Sequence, residues 1–402
     1  MDAIVIGRPI EEPAQLAAGF GELLARRERP TVLALGEPTH GIAAFPALRN
    51  ETMAALLECG FRSIALETDL FAATVVDDYV TGGRGDLDEV LSTGFSHGFG
   101  NLPGNRELVQ WLRAVNAGRE PADRVRFHGF DAPLETAAAP SPRRFLLAVH
   151  DALPAALRPE SAADLGTLVG ADADWTNPAA MYEPAASIGG SDRVRDLRIV
   201  ADDLASALRR AAPGLARPDR DDDAAAHART ALGLLRYHAA MARSAPDRIA
   251  TLLSLRAEMM ADNLLAVVDR ERHRGPTLVF AHNAHLQRAP SQMSFGVEES
   301  TWWSAGAIAA RTLGSRYVVV LVDGHPAGKP TADPLMLPDV LAAATTRRSL
   351  FPAAALRAAL PPHIGPGAPM VPGHIPVRPA DLAGADALIF VADTDGRRHQ
   401  YW

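Results

Sequence analysis

The sequence predicts an α/β fold, with a central, mostly parallel β-sheet flanked by helices and a helical insertion capping a cleft at the carboxyl edge of the strands. Three observations lead there. Short runs rich in β-formers, apolar except for Arg126, recur along the chain: VLAL at 32–35, IAL at 64–66, VRF at 125–127, LVFA at 278–281, VVVLV at 318–322 and ALIFVA at 387–392. Such runs suit strands covered on both faces, the usual state of a parallel sheet. Helical patterns separate them, as parallel crossovers require. Finally, most of the runs end in an acid or a histidine, at the edge where open α/β sheets bind ligands.

Taken in order, residues 13–27 form a helix that leads into the first strand. Gly36 ends that strand, and Thr39 is expected to cap the helix that follows. Phe45, Leu48, Thr52, Leu56 and Cys59 recur at three- and four-residue steps, the apolar stripe of an amphipathic helix. The strand 64–66 then runs into Glu67 and Asp69. Helices are expected at 70–80 and 86–93, with a glycine-rich loop at 94–104. Asn105 should cap a helix that puts Leu108, Trp111, Leu112 and Val115 on one face. The strand 124–130 ends in Asp131.

Residues 133–250 change character: Ala, Pro and Asp dominate and strand signals vanish. This region is read as the helical insertion, with 1–132 and 251–402 as the two parts of the α/β core. The acids at 221–223 suit the start of a helix, where negative charge is favoured. A helix over 247–272 returns the chain to the sheet. The strand 277–281 ends in His282-Asn283-Ala284-His285, a helix follows at 305–313, and the strand 317–322 ends in Asp323. Residues 326–380 read as irregular apart from short helices, and the last strand, 387–392, ends in Asp393.

Composition excludes several classes of function. The net charge of −8 and the lack of a basic stripe argue against a nucleic-acid partner. Lys329 is the only lysine, and its surroundings lack the spacing and the Ser/Thr of a phosphate-binding loop. Cys59 is the only cysteine, so no intrachain disulfide or cysteine metal cage can form; on the apolar side of its helix it is expected to fill the core. No apolar run reaches membrane-spanning length and the first residues have no basic region, so a cytoplasmic enzyme with no membrane partner is expected.

Parallel strands would bring Glu37, His40, Glu67, Asp69, Asp131, His282 and His285 to one edge. A histidine there is a natural general base, and a carboxylate can orient its ring and stabilise its cation. The alternative is that such residues cap helices and satisfy loop backbone.

These residues sit in recognisable motifs. GEPTHG at 36–41, Arg49, ALETD at 65–69, WLRAVN at 111–116, GFD at 129–131 and AHNAH at 281–285 resemble, in order, the signatures of the erythromycin esterase family. The resemblance covers roughly 31–131 and 250–320. It implies a metal- and cofactor-free hydrolase that opens a macrolide lactone by water attack, the kind of activity that gives antibiotic resistance. It also implies that His40 is the general base, with Glu37, Arg49, Glu67, His282 and His285 completing the site. Arg49, or a protonated His282 or His285, would then face the oxyanion. The expected substrate is a small hydrophobic ester, lactone or polyketide-like molecule. Three stretches depart from the family pattern: Gly100-Asn101-Leu102-Pro103-Gly104, Ala132-Pro133 after the third motif, and Trp302-Trp303.

Four other readings compete. Gly94-Phe95-Ser96-His97-Gly98 fits a serine nucleophile elbow, which needs a strand immediately before it. His40, His282 and His285 with Glu37 could ligate a divalent metal. The chain could bind without turnover. Within the family, the same His/Glu site could run non-hydrolytic lyase, cyclisation or acyl-transfer chemistry on a natural product, with His40 deprotonating substrate instead of water.

Overall fold

The computed structural model describes residues 6–25, 29–135, 139–215, 218–295, 298–327 and 335–401. Lys329 and Arg27 lie outside them. The chain divides into two compact units, residues 1–130 with 264–402, and residues 131–263.

The first unit is built on an eight-stranded, mostly parallel sheet. Its strands are β1 (Arg8–Pro9), β2 (Val32–Glu37), β3 (Ser63–Asp69), β4 (Arg126–Asp131), β5 (Thr277–His282), β8 (Tyr317–Pro326), β9 (Arg348–Pro352) and β10 (Ala387–Thr394). A separate two-stranded sheet holds β6 (Ser291–Phe295) and β7 (Glu298–Trp302). The order in the large sheet is β1-β9-β10-β8-β2-β5-β3-β4. β10–β8, β8–β2, β2–β5 and β5–β3 pair in parallel, whereas β9 runs antiparallel to both β10 and β1. All six residues of β2 and all six of β5 are buried, which is why both read as unbroken apolar runs.

Chain order reverses around β2: β3 and β4 lie to one side and β8, β10 and β9 to the other. Such a reversal opens a crevice at the carboxyl ends of the strands. The β2–β8 ladder stops at the pair Leu35 and Val320. Beyond it the Asn283 side chain fills the gap, donating to Val322 O at 2.7 Å and accepting from Val322 N at 3.2 Å. Gly36 makes room for it, since a Cβ there would stand 1.9 Å from Asn283 Oδ1.

The helix Ala44–Leu57 buries Phe45, Leu48, Arg49, Thr52, Met53 and Leu56. Cys59 departs from expectation. The helix ends at Leu57, so Cys59 sits in the following turn, off the apolar stripe, and is exposed. Thr39 does not cap this helix either; Ala43 occupies the N-cap without a side-chain bond, and Thr39 is buried in the preceding loop. The helix Asn105–Asn116 is capped by Gly104, whose φ of +84° suits glycine, and Asn105 is its first helical residue. The supposedly irregular stretch 326–380 contains β9, a full member of the sheet.

The second unit is helical. Helices Arg143–Ala152, Asp192–Ala211 and Pro218–Met241 bury Phe145, Leu146, Val149, Leu197, Leu204, Leu234 and Leu235. The acids at 221–223 lie in the opening turns of Pro218–Met241. Asp131 closes β4 with its carboxylate buried, held by the Arg256 fork at 2.5 and 3.1 Å and by the Ala132 N–H at 2.8 Å. Its role is therefore a charge-paired anchor. Among the described residues no helix is long and apolar enough to cross a membrane.

Candidate active site

The site forms where β2, β3 and β5 end. Parallel register sets Glu37 beside His282, and Leu66 beside Phe280, so Glu67 arrives one step further along the same edge. Just past β2 the chain turns back, and His40 Nδ1–H donates to Glu37 Oε1 at 2.8 Å. The carboxylate fixes the tautomer and leaves His40 Nε2 with its lone pair. That nitrogen stands 3.8 Å from Glu67 Oε1, and 19% of the His40 side chain is open to solvent.

Glu67 links the two remaining histidines. Its Oε2 accepts the backbone N–H of His282 at 2.9 Å, and its Oε1 lies 3.2 Å from His285 Nε2. His285 Nδ1 is buried and meets no protein partner. His282 does something different from what the motif suggested. Its Nε2–H donates to Pro38 O at 2.9 Å and its Nδ1 accepts from Ala284 N at 3.1 Å, capping the short helix Asn283–Leu286. Burial and the nearby His40 charge lower its pKa to about 3. His282 is thus a neutral cap with no lone pair for a metal and no spare proton for an oxyanion. Among the described residues no three His, Cys, Asp or Glu side chains are grouped to hold a metal ion.

Two opposing influences act on His40. Burial disfavours its cation, but the Glu67 charge and the Glu37 hydrogen bond outweigh it and hold its pKa above the ordinary value. Burial also raises Glu37, against the pull of His40 and Arg49.

Arg49 is almost wholly buried and does not face solvent. Its guanidinium lies over the Phe280 ring, 5.0 Å from the centroid, and donates to Asn105 Oδ1, Asn50 Oδ1 and Gly104 O. Burial lowers its pKa to about 10. Glu37, Arg49, Glu67, Asn105, Phe99 and Phe280 are among the groups that line a cavity of about 20 Å³ behind the His40–Glu37 pair.

Ser96 is not poised as a nucleophile. It follows the helix Leu87–Thr93 instead of a strand, and its hydroxyl accepts from Asp69 N at 2.9 Å while its N–H donates to Thr68 Oγ1 at 2.8 Å. Asp69 itself caps the next turn through Phe71 N, and Asp323 anchors His374 and Val377.

Sequence reasoning missed the aromatic wall around His40. Phe99 lies 4.8 Å and Tyr401 6.3 Å from it between ring centroids, and Phe99 packs on Tyr401 at 5.3 Å. The segment carrying Tyr401 is stitched on by His399 N, which donates to Gly41 O at 2.7 Å. The GFG stretch holding Phe99 carried only a loop signal, and nothing in the sequence tied residue 401 to residue 40.

Comparison with known proteins agrees with this architecture. The sequence model of the erythromycin esterase family matches residues 56–333. No curated protein matches the chain. Three solved structures share the fold. A Bacillus cereus protein superposes with a TM-score of 0.71 at 18% identity, covering 100% of this chain and 96% of its own. A succinoglycan biosynthesis protein gives 0.66 at 16% identity, covering 97% and 96%. A histidine-to-asparagine variant of the erythromycin esterase EreC, in its open conformation, gives 0.68 at 18% identity and covers 98% of both chains. With the family model spanning more than half of its length, this chain belongs to the erythromycin esterase family.

Proposed function

We propose that this protein hydrolyses a carboxylic ester or lactone, with His40 activating water and no metal taking part. One observation carries the reading: His40 is held by a carboxylate on Nδ1 while Nε2 is left basic, beside a second carboxylate and partly open to solvent. In the reaction His40 Nε2 takes a proton from water as the water oxygen attacks the acyl carbon. The imidazolium that forms lies between Glu37 and Glu67, which stabilise it. Collapse of the tetrahedral intermediate breaks the acyl–oxygen bond, and the imidazolium returns its proton to the leaving alkoxide. His285 steadies Glu67, and His282 fixes the loop after β2 through Pro38.

The substrate proposed is a small hydrophobic ester or a macrolactone of the erythromycin kind, consistent with the family and with the aromatic wall of Phe99 and Tyr401. The test is turnover of erythromycin and of p-nitrophenyl esters by wild type, His40→Ala and His40→Gln. Both variants should lose at least about 10²-fold in kcat; wild-type turnover by either would end the reading. Exhaustive chelation should leave activity unchanged.

A second reading draws on the fold shared with a succinoglycan biosynthesis protein. In it, His40 deprotonates a substrate hydroxyl, and acyl transfer or cyclisation replaces hydrolysis. Incubation in heavy-oxygen water separates the two, because only hydrolysis places the label in the product acid.

A further inference from the structure

The cavity behind the catalytic pair has two unsatisfied groups on its walls. Glu37 Oε2 is buried and has no protein partner. Arg49 carries five N–H donors. Its Nε–H goes to Asn50, one Nη1–H to Asn105, and the two Nη2 hydrogens to Asn50 and Gly104. One Nη1 hydrogen remains. Both residues line the same cavity of about 20 Å³, together with Asn105 and Glu67. A void of about 10–15 Å³ or more with two to four polar partners is what one buried water needs. Leaving a buried carboxylate oxygen bare would cost about 1–3 kcal/mol or more, so the site favours such an occupant.

We propose that one water fills this cavity and joins Arg49 Nη1 to Glu37 Oε2, which makes Arg49 a positioning residue acting on His40 through water and carboxylate. This rests on the reading of His40 as the base and specifies how that base is supported. The water accepts from Arg49 and donates to Glu37, so the guanidinium's charge reaches the carboxylate that fixes the His40 tautomer. Arg49 then has no oxyanion to face; it is buried, bonded to Asn50, Asn105 and Gly104, and shares the cavity wall with Glu37. The charged and titratable groups around the relay are Glu37, Glu67 and His97 on His40, Glu37 and Glu107 on Arg49, with His282 and Tyr401 bordering. Without the relay, Glu37 would hold its own proton more readily. His40 would lose the charge that supports its cation.

Two variants test this, with histidine NMR titration of the ligand-free enzyme and a kcat–KM split on a p-nitrophenyl ester. Arg49→Gln removes the donor. Leu102→Phe fills the cavity from its apolar wall and leaves every Arg49 bond in place, so it serves if Arg49→Gln fails to fold. In each, His40 should titrate at lower pH than in wild type, and kcat should fall about 10²-fold with KM nearly unchanged. A crystal structure of the wild type should show a solvent peak within about 3 Å of both Glu37 Oε2 and Arg49 Nη1. An unmoved His40 titration in the folded variants, a raised KM at unchanged kcat, or no solvent peak would each overturn the proposal. The titration and the solvent peak do not depend on turnover. If His40→Ala stays active while both hold, the hydrolytic reading falls and the water link stands.

Discussion

Replacing Glu37 with Gln keeps the shape of the site and removes one charge from it. In the structure the Glu37 carboxylate bonds His40 Nδ1 at 2.8 Å. If His40 takes the proton from water, as proposed, its cation gains that carboxylate as counter-ion. Two unit charges about 4 Å apart interact by ~4 kcal/mol at an effective dielectric constant of ~20. At 1.36 kcal/mol per factor of ten, the loss corresponds to about 10³ in kcat. The amide adds a second penalty. Through its NH₂ it can donate to Nδ1, placing the ring proton on Nε2 and disabling the base, as a carboxylate-to-amide change does in other histidine dyads. Substrate contacts are untouched, so KM should change little. The carboxylate also holds His40 above its ordinary pKa, so the acid limb of the kcat profile should move to lower pH in the variant. The assay is steady-state kinetics from acid to mildly alkaline pH, with circular dichroism to confirm the fold. A folded Glu37→Gln enzyme within about fivefold of wild-type kcat, its acid limb unmoved, would refute the role given to the dyad.

Two further predictions concern stability. Gly36→Ala would drive a Cβ to 1.9 Å from Asn283 Oδ1 and expel the side chain that satisfies Val322 N–H and C=O. With about 1–3 kcal/mol for each of the two buried groups left unpaired, urea denaturation should show a loss of about 2–6 kcal/mol. Because Asn283→Ala loses the same bonds, the double variant should be about as stable as the worse single one; additive losses would show the two residues to be uncoupled. His282 binds a proton only near pH 3 when folded, against 6.5 as its ordinary value. Its contribution is therefore complete above about pH 6.5 and is lost as pH falls towards 3, with a slope of about 1.4 kcal/mol per pH unit. His282→Asn retains a good helix cap and should flatten stability between about pH 6 and pH 4 by close to one proton's worth. Parallel wild-type and variant curves across that range would contradict this.

Expectation and structure part where local pattern does not carry enough information. β9 does not stand out because a five-residue antiparallel segment in proline-rich surroundings has too short an apolar run. The β6–β7 hairpin is built from SQMSF and EESTW, largely polar, so its pairing rests on backbone bonds with little side-chain signature. Cys59 followed the helical period one step past the point where the helix stops. Thr39 and Asn105 are good capping residues by type, yet both are buried and bonded elsewhere: Thr39 Oγ1 donates to His40 O, and Asn105 uses its amide on Arg49 and Phe99 O.

What the sequence by itself determined was chemistry by position along the chain. The apolar runs of β2, β5 and β8 suit doubly covered strands, and parallel strands bring Glu37, His40, Glu67 and the AHNAH turn to one edge. Only the tertiary structure decided which atom meets which. Hydrogen bonds act within about 3 Å, and residues 37, 67 and 282 approach that closely only once the sheet register is set. That register left His40 with a ring nitrogen partly open to solvent and made His282 a neutral cap. It also turned Arg49 inward, and no spacing of residues along a chain records which way a side chain turns.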